Sequence, residues 1–186
     1  MSDDRSPSFD DSQPSLVQAA CVRARQMLQH GTSRREILTH LATAAEMVAG
    51  TGTAASILVL DDHGLLRNGA SPNLPTDYLD AIDRLKPDPR VGTCVAAAAT
   101  GEVVVTPDFR ADEKWAELRH LPLALGFVGA WSMPIKSSRG RVLGTFGTYF
   151  QQQREPTVDE RDAVRELARA AALAIEATAP RAAHPA

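Results

Sequence analysis

Cysteine is scarce in this chain of 186 residues: there are two, Cys21 and Cys94. That is too few for the disulfide framework of a small secreted domain, and both are expected as free thiols in a reducing compartment. No apolar run approaches the roughly 18 to 20 residues that cross a bilayer. The N-terminal stretch MSDDRSPSFDDSQPS is acidic and polar where a signal peptide is basic and then apolar, so the chain is expected to be cytoplasmic with no membrane partner. An excess of positive charge is also missing. With a formal net charge of -3 there is no electrostatic reason to expect nucleic acid as a partner.

Metal-binding and catalytic patterns are likewise absent. The histidines at 30, 40, 63, 120 and 184 form no i, i+4 pair and no cluster with cysteine, which gives no zinc site. No cysteine is followed by histidine, as a bilin attachment would need. His120 alone stands in a segment that could offer an axial haem ligand, and the cofactor is left unknown. No phosphate-cradling loop, Ser-His-Asp arrangement or pair of catalytic carboxylates can be assembled.

The composition that remains, 44% hydrophobic and 23% charged, is that of one globular domain able to bury about two thirds of its unfolded surface. Residues 1–14 are rich in Ser, Asp and Pro, and residues 179–186 lack anything to pack, so both read as disordered tails around a domain over 15–178. The domain opens with helices. Leu16, Val17, Ala20, Ala24, Met27 and Leu28 recur at helical spacing, and Gly31 can end that helix. Ser33 with Glu36 forms a capping box for a second helix with Ile37, Leu38, Leu41, Ala45 and Val48 on its buried stripe.

The period then changes. AASILVLD and LLRNGA flank an Asp-Asp-His-Gly turn and read as a hairpin. TDYLDAIDRL is helical, TCVAAAAT is a short helix with Thr93 as its N-cap, and EVVVTP is a strand. ADEKWAELRHLPLALG reads as a further helical stretch before FVGAWSMPIKS and RVLGTFGTYFQ, a long hairpin. Thr157 and Glu160 form a second capping box, opening a helix with Val164, Leu167, Ala168, Ala171 and Ile175 along one side. Helices at both ends thus bracket a mainly antiparallel sheet of five or more strands: an α+β domain.

The succession VGTCVAAAATGEVVVTPDFRADEKW, WSMPI, GRVLGTFGTYF and PTVDERDAVRELARAAALAIE resembles a GAF domain, of the kind found in bacterial sensor kinases and cyclic-di-GMP enzymes, from about Leu38 to Glu176. The resemblance implies terminal helices on one face of the sheet and a ligand pocket under loops and short helices on the other. It implies a stand-alone sensory or regulatory domain that binds a small molecule, with the terminal helices forming a homodimer or passing the signal to a protein partner. Val95 stands where the most similar family variant often has glycine. No kinase, cyclase or helix-turn-helix follows the last helix, so output is expected through contact with another protein.

The resemblance also brings an enzyme alternative, free methionine-(R)-sulfoxide reduction, which uses several cysteines around the pocket. Only Cys94 has a counterpart here, since FRADEKWAELRHLPLALGF carries none. A third alternative is an interaction domain whose pocket is filled by its own side chains.

Cys94 therefore has more than one reading. It is a small residue at a helix start, or a redox-responsive or ligand-contacting thiol whose pKa the helix dipole lowers. The amides of Thr93, Cys94 and Val95 could hold a small anion. An amphipathic metabolite would use Phe109, Trp115, Trp131 and Tyr149 as apolar contacts, with polar support from Asp108, Arg110 and Asp112. Alternation puts Phe127, Gly129, Trp131, Met133 and Ile135 on one face of their strand, and the pattern does not say which face lines the pocket.

Overall fold

The computed structural model describes residues 15–179. In chain order the elements are α1 (Leu16–Gln29), α2 (Arg34–Ala49), β1 (Thr53–Leu60), β2 (Leu66–Ala70), α3 (Thr76–Ala81) and α4 (Thr93–Thr100). They continue with β3 (Val104–Thr106), a 3-10 turn (Glu113–Trp115), α5 (His120–Ala124), β4 (Gly129–Lys136), β5 (Val142–Phe150) and α6 (Val158–Ala177). The domain is α+β, as the sequence pattern predicts. The expected tails at 1–14 and 180–186 lie outside the described residues.

The three long helices all start the same way. Ser33 caps α2 with Glu36 returning the bond, Thr157 and Glu160 do this for α6, and Ser15 with Gln18 adds a box at α1 that the sequence reading did not identify. Each box satisfies two N–H groups that helix geometry leaves without partners. At α6 the box is tied further. The Arg154 guanidinium lies over the Phe150 ring at 3.6 Å and meets both Glu160 oxygens at 2.7 Å, fastening the start of α6 to the end of β5. Burial pushes the Glu160 carboxyl up, but the bonds from Arg154 and Thr157 outweigh it and the net shift is downward.

The five strands run in the order β2-β1-β5-β4-β3, and every neighbouring pair is antiparallel. Alternation then assigns the faces. Ile57 and Val59, Trp131, Met133 and Ile135, and Phe146 and Phe150 form one apolar side, on which α2 and α6 lay Ile37, Leu38, Leu41, Leu167 and Ala171, with α1 outside them. The opposite side presents Ala54 and Leu58 of β1, Ala130 of β4 and Tyr149 of β5. Here α4 lies across β4 and β5. Its buried run of Ala96, Ala97 and Ala98 has little side chain to hold it away from the strands.

The segments above this second face are less regular than their periodicity suggests. The helix expected over TDYLDAIDRL stops at Ala81, because Arg84 takes a left-handed φ of 62° and turns the chain so that Leu85 pairs with Leu66. The stretch ADEKWAELRHLPLALG is not one helix either: it breaks into the 3-10 turn and α5. The strand expected over EVVVTP shortens to Val104–Thr106. At α4 the N-cap is Gly92, with a φ of 53° open to glycine, and Thr93 is the first helical residue, its hydroxyl committed elsewhere. Among the described residues no helix is long and apolar enough to cross a membrane.

Candidate functional site

Between the second sheet face and its cover lies a pocket walled by Leu58, Tyr78, Ile82, Leu85, Thr93, Cys94, Val95, Trp115, Leu118 and Tyr149, with Gly92 at its edge. These come from β1, β5, the start of α4 and the cap, by which we mean α3, the 3-10 turn and the loops on either side. The space open to the centre of a water molecule is about 20 Å³, enough for one water.

One side of the pocket is held by a chain of hydrogen bonds whose direction is chemically forced. Trp115 Nε1 can only donate, and it donates to Thr93 Oγ1 at 2.9 Å. At the far end Asp112 can only accept when ionised, and it receives Thr106 Oγ1 at 2.8 Å and Lys114 Nζ at 2.7 Å. Thr93 must therefore donate to Thr106, 3.0 Å away. Partial burial raises the Asp112 carboxyl, but the bonds from Lys114 and Thr106 prevail and keep it below its ordinary value. Asp112 also caps the 3-10 turn through Lys114 N. The chain thus pins the turn that carries Trp115 onto the first residue of α4. Phe109 backs the Trp115 ring at 4.3 Å between centroids.

The other side is a pair of phenols. Tyr78 and Tyr149 are the only tyrosines, their hydroxyls lie 3.1 Å apart, and their rings meet edge to face. Burial pushes both hydroxyls far above the usual tyrosine range, with the neighbouring hydroxyl and the Cys94 thiol as smaller influences. Because both values are raised, the stability linked to them is fully present below the ordinary tyrosine pKa of about 10 and is lost as pH rises beyond it. In an alkaline titration we expect no tyrosinate absorbance from the native protein through that value. It should appear in one step together with loss of the far-UV circular dichroism signal. Gradual ionisation of a folded protein near pH 10 would show that the pair is open to water.

Cys94 sits at the floor of the pocket. Burial pushes its thiol up, and contacts to Ser132, Thr145 and Tyr149 pull it back without cancelling that effect. This corrects the reading of a thiol with a lowered pKa: burial raises it. Cys21 is buried in α1 on the opposite side of the sheet, so no second thiol is near Cys94.

Of the residues singled out in the sequence, Thr93, Cys94, Val95, Trp115 and Tyr149 come together as walls, and Phe109 supports Trp115 from behind. Trp131 does not join them. It points into the helix-facing core and is 1% exposed, because its strand register puts Ala130 and Ser132 on the pocket side. Asp108 accepts from Arg110 N in an exposed loop, and His120 is exposed at the start of α5, so neither lines the pocket. Tyr78, Ile82, Leu85 and Leu118 were missed. The one available signal was that they are the apolar residues of two short amphipathic segments flanking the TCVAAAAT helix. Among the described residues no three His, Cys, Asp or Glu side chains gather as metal ligands.

Comparison with known proteins agrees with this architecture. A family model described as "GAF domain" matches residues 31–176. The chain is 32% identical over 155 residues to a methyl sulfide methyltransferase-associated sensor of Methanosarcina acetivorans, covering 83% of this chain but 15% of that protein. Among solved structures, the GAF domain of a phosphoenolpyruvate-protein phosphotransferase from Coxiella burnetii superposes with a TM-score of 0.68 at 16% identity, covering 88% of this chain and 95% of that one. Free methionine-R-sulfoxide reductase from Neisseria meningitidis, solved with its substrate, gives 0.64 at 16% identity, covering 92% and 96%.

Proposed function

The chain belongs to the GAF domain family, and from that premise we propose that it is a cytosolic sensory domain that takes a small molecule into the Cys94–Tyr149–Trp115 pocket. One observation carries the reading: the cap closes an apolar pocket, yet apart from the Leu66–Leu85 bridge and the single backbone bonds Phe109 N to Val128 O and Gly92 N to Lys114 O it is held by side chains, with no strand pairing from α3, the 3-10 turn or α5. A lid held this way can open at less cost than a sheet can part. A ligand that binds the opened arrangement better than the closed one shifts the balance by that difference in affinity.

The output we assign to the helix layer, through a second copy of the chain. Leu173 of α6 and Val22 of α1 are 51% and 49% exposed and lie together in a groove between the helices, with Arg25 and Glu166 at its sides. Leu173 also borders a second groove between α6 and β4. Tyr149 on one face of β5 and Phe150 on the other connect the pocket with the layer that carries α6.

The scarcity of free space favours a second reading, in which the pocket is permanently filled and the domain acts by contact alone. A thiol reductase is less well supported, since its chemistry would have to run on Cys94 with Cys21 across the sheet. One experiment separates these readings: a thermal-shift screen of chemically varied small molecules, with sedimentation, on the wild type, Leu118→Trp and Leu173→Glu. Leu118→Trp, which enlarges a partly buried wall residue to fill the pocket, should lose the ligand-induced shift and keep the dimer. Leu173→Glu should keep the shift and sediment as a monomer. Hits that survive Leu118→Trp would place the ligand elsewhere. A wild type that dimerises and responds to nothing would favour the filled pocket, and methionine sulfoxide turnover with thioredoxin would establish the enzyme.

A further inference from the structure

Resting on the pocket reading above, we propose that the ligand is uncharged: a ring-sized apolar molecule with one neutral hydrogen-bonding group. The pocket wall contains no charged side chain. Its polar members are hydroxyls, an indole and a thiol that burial keeps protonated.

The hydrogen-bond inventory narrows the class. Along the chain from Trp115 to Asp112 every side-chain proton is already given: the indole N–H to Thr93, the Thr93 hydroxyl to Thr106, and the Thr106 hydroxyl to Asp112. The nearby cation, Lys114, is held by Asp112. Unspent capacity sits at the opposite end. Tyr78 gives its proton to Tyr149, and the Tyr149 hydroxyl has only the Cys94 thiol, a weak acceptor, beside it, so the pair offers free lone pairs and one loosely held proton. That suits a hydroxyl, carbonyl or amide. A carboxylate or ammonium group would enter unpaired, at the desolvation cost that an isolated buried charge carries. The body of the ligand is set by Leu58, Ile82, Leu85 and Leu118 beside Trp115. With room for one water, a ligand gains entry by displacing Leu118 and Leu85 on the cap, which limits it to about one ring.

The first-turn amides of α4 are the competing feature, since they would favour an anion. Benzamide, benzoate and benzamidinium share one shape and carry no charge, a negative charge and a positive charge, so they put the alternatives side by side. Thermal shift would be read for each on the intact wild-type chain and on Leu118→Trp. We expect benzamide to raise the midpoint of the wild type, and the two ions to bind at least about tenfold more weakly. The benzamide response should vanish in Leu118→Trp, and Tyr149→Phe, which keeps the ring and removes the hydroxyl, should weaken it.

The failures are distinguishable. If benzoate or benzamidinium binds as well as benzamide and is lost in Leu118→Trp, the pocket stands and the neutral class is wrong. A benzamide response unchanged in Leu118→Trp overturns the pocket itself. Silence from all three, with other hits that Leu118→Trp abolishes, overturns the ring-sized class and leaves the pocket in place.

Discussion

Gly144→Ala should leave a protein that unfolds at least roughly 6 to 12 °C below the wild type, a loss of about 3 kcal/mol or more for a domain of this size. Gly144 lies in β5 at the centre of the sheet, opposite Val59 of β1 and Ile135 of β4. A Cβ added there would press into the carbonyl oxygen of Leu58, well inside van der Waals contact, with Val59 Cα at 3.0 Å behind it. Both obstacles are backbone. A side chain can rotate away from a methyl group, but relief here requires β1 and β5 to separate, breaking ladder bonds that run along the full length of the pair. The register also slips in this neighbourhood, between Ile135 and Lys136, so β5 is already bent where the methyl would intrude. Differential scanning calorimetry checks the expectation. A midpoint within about 2 °C of the wild type would mean that β1 and β5 do not approach as closely as described.

How much of this was legible in the sequence depended on the range of the forces involved. The capping boxes at Ser33 and Thr157 are contacts between a side chain and a backbone group three residues away, so the residues that make them are next to one another in the text. The amphipathic stripe of α6 is equally local, and Val164, Leu167, Ala168, Ala171 and Ile175 are all buried as its period requires. The face of Trp131 was different. Alternation separates Trp131 from Ala130 but is symmetric between the layers, and only the placement of α6 on one side breaks that symmetry. The cap was legible in composition and not in shape, because Ile82 and Leu85 continue the helical period of TDYLDAIDRL in the text, whereas the helix ends at Ala81 and Leu85 bridges to Leu66. Thr93 has the residue type of an N-cap, and it is drawn from that role by the indole of Trp115, twenty-two positions along the chain.

Gly147→Ala should cost about 1 to 3 kcal/mol, and most of that cost should disappear in the Cys94→Ala background. The Cβ added at Gly147 would come within 2.7 Å of Cys94 Sγ and meet nothing else closer than 3.8 Å. The conflict is therefore with one sulfur atom. That sulfur cannot swing aside freely, since Ser132, Thr145 and Tyr149 surround it and the helix carrying it lies flat on β4 and β5. Cys94→Ala alone removes a small buried atom at a cost of about 1 kcal/mol. If Gly147 and Cys94 act as a lock and its seat, the double variant should be more stable than the sum of the single losses by about 1 to 2 kcal/mol, the coupling typical of side chains in direct contact. Additive losses in denaturant unfolding would show that the sulfur does not rest on the glycine. Coupling on that scale would give Cys94 a definite role: it sets the height of α4 above the sheet, and with it the position of Thr93, the anchor to which Trp115 and the cap are tied.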